Sequence, residues 1–150
     1  MIPFAERCQV EPLEFNDMGH VKLKMPFRGN ENHVGTMYAG SLFTLAEFSG
    51  LPLCLSAFGM NLFDTHLPVV ANYFIKFLKP VKKDMFVTID VPLHEIENVR
   101  GKMLMEGKKP KMILEKKLVD DEGTVYAETK GVYVFIPNPD PEKSNTFQIM

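Results

Sequence analysis

Hydrophobic and polar positions divide the chain into one continuously apolar segment and several alternating ones. Near Ala39 or Gly40 a polar loop gives way to Leu42, Phe43, Leu45, Ala46, Phe48, Leu51, Leu53, Cys54, Leu55, Ala57 and Phe58, which point in every direction at helical spacing. A helix apolar all round must be wrapped by other elements. Pro52 cannot donate to the carbonyl four residues back, so the helix has to kink or end close to Ser49 and Gly50. A second helical stretch, Pro52 to Phe58, follows with its proline at the start.

The other segments have strand periodicity. Val21 to Met25 alternates apolar and polar side chains and predicts a short strand. Leu67 to Leu78 predicts a long one, with Val69, Ala71, Tyr73, Ile75 and Phe77 sharing a face, and Pro80 stops it. After the turn Val81 to Asp84, Met85, Val87, Ile89 and Val91 alternate with Phe86, Thr88 and Asp90 in a third strand. Lys111 to Val119 predicts a fourth strand, Asp120 to Gly123 a hairpin turn and Thr124 to Ile136 a fifth strand. Between the third and fourth, Leu93, Ile96, Val99 and Met103 recur at helical spacing, so Leu93 to Glu106 is expected as an amphipathic surface helix ended by Gly107. Residues 1–14 and 137–150 lack periodicity and read as loose ends, although Phe4 and Leu13 could dock on the body.

These elements make an α+β domain in which one long helix lies against a mostly antiparallel sheet of about five strands. The helix's remaining side calls for a second subunit. At 150 residues the chain forms one domain with a single core.

Composition narrows the function classes. A net charge of −2 argues against nucleic acid as a partner, yet 11 of the 17 basic residues fall between Lys76 and Lys117. That run is either a solvated face or a docking surface for a phosphorylated ligand or an acidic carrier. No run approaches the roughly 18 apolar residues of a membrane span, and the first residues have no signal-peptide core, so no membrane and a cytoplasmic location are expected. Cys8 and Cys54 sit in unrelated contexts, and His20, His33, His66 and His94 lack ligand spacing, so no metal is expected.

Glu47 is the one carboxylate in the apolar helix. Desolvation there raises its pKa and costs free energy unless the group is partnered or at work.

Asn32, Gly35, Tyr38-Ala39-Gly40 and Leu45-Ala46-Glu47, followed by Asn72 to Pro80 and by Asp121-Glu122-Gly123, together resemble the hotdog-fold thioesterases. The resemblance is closest to the phenylacetate-degradation type that acts on acyl-CoA. It spans roughly residues 15–136. One departure is clear: Tyr38-Ala39 stands where that family has His-Gly.

The resemblance implies a hotdog fold and an acyl-CoA or acyl-carrier thioester as substrate, with CoA entering only as part of it and no separate cofactor. Thioester hydrolysis needs donors for the developing oxyanion and a carboxylate to activate water or attack directly. A helix start supplies such donors, here the amides of Ala39 and Gly40. Glu47 lies seven residues past Gly40, about 10 Å along the axis, too far for one carbonyl to meet both within one chain.

In such enzymes facing subunits of a dimer supply the two parts. A homodimer, or a tetramer built from it, is therefore expected. Glu47 would be general base or nucleophile, Asn32 would orient water or carboxylate, and Thr65 would supply a hydroxyl for the water. Lys79, Lys82 and Lys83 are candidates for the CoA phosphates, and Phe43, Phe48, Phe63 and Phe74 for an acyl pocket. Ser41 is excluded as nucleophile because its surroundings lack the G-x-S-x-G frame. The alternative is a hotdog protein that binds an acyl thioester without hydrolysing it, as a sensor or structural subunit.

Overall fold

A computed structural model describes residues 2–144 of the chain. The elements, in order, are α1 (Pro3–Arg7), β1 (Glu11–Phe15), β2 (His20–Met25), α2 (Ala39–Phe48), α3 (Gly50–Phe58), β3 (His66–Phe77), β4 (Met85–Asp90), α4 (Leu93–Met103), β5 (Lys111–Val119), β6 (Val125–Pro137) and α5 (Pro141–Ser144). One 3-10 turn, Leu62–Asp64, leads into β3.

The strands form a single sheet in the order β1-β2-β4-β5-β6-β3, and every pairing is antiparallel. Its inner face is a row of alternating apolar side chains: Val21, Leu23 and Met25 on β2, Met85 and Val87 on β4, Met112, Leu114 and Leu118 on β5, and Phe135 on β6. This face packs on α2 and α3, whose Leu45, Ala46, Leu53 and Cys54 are wholly buried. The helix breaks at Ser49, where the sequence placed the kink.

Gly50, first residue of α3, is required by close approach. A Cβ there would strike the Tyr133 ring of β6.

The sheet has six strands rather than about five. The additional strand, β1, lies in a segment expected to be loose, and all five of its residues are exposed, so it carries no apolar alternation to detect. Phe4 and Leu13 stay exposed instead of docking, and Ala5, Cys8 and Val10 fill that role.

In β3 the expected shared face is interrupted by an irregularity between Val70 and Asn72. A residue inserted there reverses the alternation, so Val70 pairs with Tyr133 before it and Tyr73 with Gly131 after it. α4 ends at Met103, short of the expected Glu106, and buries Ile96 and Val99 while Leu93 is exposed.

The expectation that no segment reaches membrane-spanning length is also corrected. Ala39–Phe58 is 20 residues long and apolar enough, yet 67% of its most apolar stretch is buried inside the domain.

Within the tail expected to be loose, Pro141–Ser144 forms α5 and Asn138 is bonded to the body. The Asn138 side chain donates to the Phe63 carbonyl at 2.6 Å and its backbone N–H to the Thr65 carbonyl at 2.8 Å. The rest of that tail, 145–150, lies outside the described residues.

Candidate active site

The loop before α2 is fixed from within. Asn32 is its organiser: its Oδ1 accepts from the N–H of Val34 (3.0 Å) and Thr36 (3.1 Å), while its Nδ2 donates to Thr36 Oγ1 (2.8 Å). The Asn30 side chain donates to the carbonyls of Cys8 and Pro26, both at 2.9 Å, and the Met37 N–H to the Val81 carbonyl at 2.8 Å.

The loop delivers the chain to α2 with Tyr38 as N-cap and no side chain capping the helix. The Ser41 and Leu42 N–H groups both reach the Tyr38 carbonyl, which leaves the Ala39 and Gly40 amides without an acceptor among the described residues. Such orphan donors at a helix start make a partial positive site. The Tyr38 ring lies over Gly40 so closely that a Cβ there would strike it.

The helix start borders, through Ala39, a hollow of about 350 Å³ that is also lined by Asn32, Thr36, Phe77 and Lys79. Glu47 borders a different hollow, about 190 Å³, with Ile2, Phe4, Phe43, Thr44 and Phe48. One chain thus brings Asn32, Ala39 and Lys79 together and keeps Glu47 apart from them.

Burial pushes the Glu47 carboxyl above the usual carboxylate range, and Lys116 partly offsets this. Thr65 borders neither hollow. It sits just before β3, its Oγ1 donating to the Leu62 carbonyl at 3.3 Å.

The three candidate lysines separate. Lys79 borders the hollow at the helix start and also stands 5.8 Å from the Tyr126 ring centre. Lys82 is exposed. Lys83 pairs with Asp121 at 2.8 Å and Asp120 at 3.5 Å, and the Asp121 bond raises its ammonium above the ordinary lysine range. Of the acyl-pocket candidates, Phe43 and Phe48 border the Glu47 hollow, Phe74 is exposed, and Phe63 packs partly buried on the core.

Sequence reasoning missed a buried polar cluster beside Glu47. Lys116, counted there among the basic residues of a surface run, is 4% exposed. Its Nζ donates to the Ala46 carbonyl (2.8 Å), Ser49 Oγ (3.0 Å) and Tyr133 OH (3.0 Å), and that hydroxyl donates to the Glu47 carbonyl (2.9 Å). Tyr73 OH donates to Thr129 Oγ1 at 3.3 Å and its ring meets Phe43 edge-on at 5.0 Å. The signal was present in the strand pattern, because Lys116 shares the parity of Met112, Leu114 and Leu118. Burial lowers its ammonium to about 7, against the opposing pull of Cys54 and Glu47.

Comparison with known proteins agrees with this architecture. The family described as "Putative thioesterase (yiiD_Cterm)" matches residues 1–137. The chain belongs to the hotdog-fold thioesterase superfamily.

A Pseudomonas aeruginosa protein described as a probable thioesterase is 34% identical over 91% of this chain and 88% of its own, with a TM-score of 0.81. A Shewanella oneidensis protein described as a putative thioesterase is 30% identical over 91% of this chain and 90% of its own, at 0.71. The Escherichia coli PaaI protein from the phenylacetic acid degradation operon, 18% identical over 89% of this chain and 84% of its own at a TM-score of 0.65, shares the hotdog fold. Thioester hydrolysis is the chemistry of this superfamily, whose helix start is Tyr38-Ala39-Gly40 in this chain.

Proposed function

We propose that the protein hydrolyses an acyl-CoA or acyl-carrier thioester at a site shared between two copies of the chain. The observation that carries this reading is the separation of two incomplete halves on one helix: its uncapped start, where Ala39 borders one hollow, and the half-buried Glu47, which borders another. A twofold pairing that sets the start of one α2 opposite the Glu47 of the other completes both halves at once.

The strand for such a pairing is available. β3 is the last strand of the sheet, 12 residues long, and its Val69, Val70, Phe74 and Phe77 are exposed. A long apolar edge of this kind is a template for strand addition.

In the proposed reaction the Ala39 and Gly40 amides bind the oxyanion, and Glu47 of the facing copy activates water or attacks the carbonyl carbon. Asn32 shapes the loop that aims the amides, and Lys79 is the best placed of the lysines for a CoA phosphate. A base must be ionised, so turnover should rise with pH as Glu47 loses its proton, above the usual carboxylate range.

Binding without hydrolysis is the alternative, and the Tyr38 ring covering Gly40 is the feature that favours it. A panel of acyl-CoAs with a thiol-trapping reagent separates the two. The hydrolase reading expects release from at least one substrate, a dimer by sedimentation velocity, and loss of turnover by about 10³-fold in a still-dimeric Glu47→Ala protein. Binding with no release, unaltered by Glu47→Ala, rejects it.

A further inference from the structure

The last turn of α2, which carries Glu47, is gripped by two side chains that the proposed chemistry does not use. Lys116 comes from β5 and Tyr133 from β6, and with Ser49 they close a ring of hydrogen bonds on the Ala46 and Glu47 carbonyls. A methionine or leucine occupies every other inward position of β5 from Met112 to Leu118, and either would avoid the desolvation that a buried ammonium incurs.

We infer that Lys116 and Tyr133 are positioning residues for Glu47. Tyr133 holds the backbone of the Glu47 turn, and Lys116 supplies the positive charge against which the carboxylate ionises. This rests on the reading of Glu47 as the working carboxylate.

The groups facing Lys116 leave Glu47 as its charge partner. They are Glu47 from α2, Ser49 at the helix break, Cys54 from α3, Tyr73 from β3, and Thr129 and Tyr133 from β6. Burial lifts the Cys54 thiol and the Tyr73 phenol to about 12 each, and the Tyr133 phenol also rises, so all three are neutral where enzymes work. Glu47 and, below about pH 7, Lys116 are then the two groups of this set that carry charge, and each opposes the other's burial shift.

A purely structural role, capping the end of α2, makes a different forecast. In Lys116→Met the Ser49 hydroxyl still donates to the Ala46 carbonyl (2.6 Å) and Tyr133 to the Glu47 carbonyl (2.9 Å), so no helix carbonyl of the ring is orphaned. Capping alone therefore predicts an unchanged Glu47.

The deciding experiment is a carbon-13 NMR titration of the Glu47 side-chain carboxyl in the dimer, run beside the pH profile of kcat/KM on whichever acyl-CoA is hydrolysed fastest. Lys116→Met should move the Glu47 midpoint upward by about one pH unit or more, with the acid limb of the profile moving equally. Tyr133→Phe should lower kcat about 10- to 100-fold and leave that limb in place. In the unsubstituted protein the Glu47 signal should show a second inflection where the Lys116 amine titrates, a readout independent of any variant's folding.

An unmoved midpoint in Lys116→Met, or no second inflection, overturns the inference. A shifted midpoint in a protein that hydrolyses nothing leaves the charge coupling standing and rejects the hydrolase reading instead.

Discussion

The start and the end of α2 treat the same problem, unsatisfied backbone groups at a helix terminus, in opposite ways. At the start no side chain caps the helix, Tyr38 and Ala39 are exposed, and Ala39 borders an open hollow. At the end Ser49 and Gly50 are buried, and Lys116, Tyr133 and Ser49 bind the carbonyls of Ala46 and Glu47.

Every helix leaves donors at one terminus and acceptors at the other. Donors left open to solvent can serve a ligand. Acceptors bound by buried side chains fix the turn that holds Glu47, at the expense of adaptability.

The contrast is broken most severely at Gly50. Gly50→Val places a side chain where the Tyr133 ring lies and should disrupt its bonds to the Glu47 carbonyl and Lys116. Overpacking plus lost buried hydrogen bonds should destabilise the fold by about 4 kcal/mol. Urea denaturation measures this, and a change below about 1 kcal/mol would mean that the buried end tolerates rearrangement.

Next in size is a pH effect. Lys116 releases its proton near 7 in the folded protein, against 10.5 for an ordinary lysine. Between these values the unfolded chain holds more protons, so this group makes stability rise with pH, by at most about 1.4 kcal/mol per unit. The window to measure is pH 7 to 8, below the range in which an ordinary cysteine ionises. Lys116→Met should flatten the slope. Glu47 acts with the opposite sign at lower pH: its raised pKa lets the folded state keep a proton that the unfolded chain has lost, so its unfavourable term fades on acidification.

The smallest stability effect belongs to the open end. A Cβ in Gly40→Ala meets the Tyr38 ring, an exposed side chain free to swing away, so folding should change by less than about 1 kcal/mol. Turnover is the sensitive readout there. Crowding an oxyanion donor should lower kcat about 10²-fold, and a fully active Gly40→Ala protein would remove the Gly40 amide from the mechanism.

Local pattern was enough to locate α2, the break at Ser49, the strands β2 and β4 to β6 and the hairpin before Val125. Each is marked by spacing or by a residue with a backbone constraint. β1 escaped because an edge strand with no buried face has no hydrophobic period to read. The β3 irregularity escaped because a strand apolar on both faces looks the same in either register. Within the candidate site, Glu47 was conspicuous as a charge in oily sequence, whereas Lys116 was hidden among neighbouring lysines that are on the surface.

Sequence alone determined that one all-apolar helix bearing a single carboxylate must be wrapped by an antiparallel sheet, since side-chain periodicity and the cost of exposed apolar surface are local properties. Only the tertiary structure decided that Lys116 and Tyr133, 70 and 86 residues from the carbonyls they bind, meet at the end of that helix. Sheet register and the missing Cβ of Gly50 bring them there, and both are consequences of how distant segments pack.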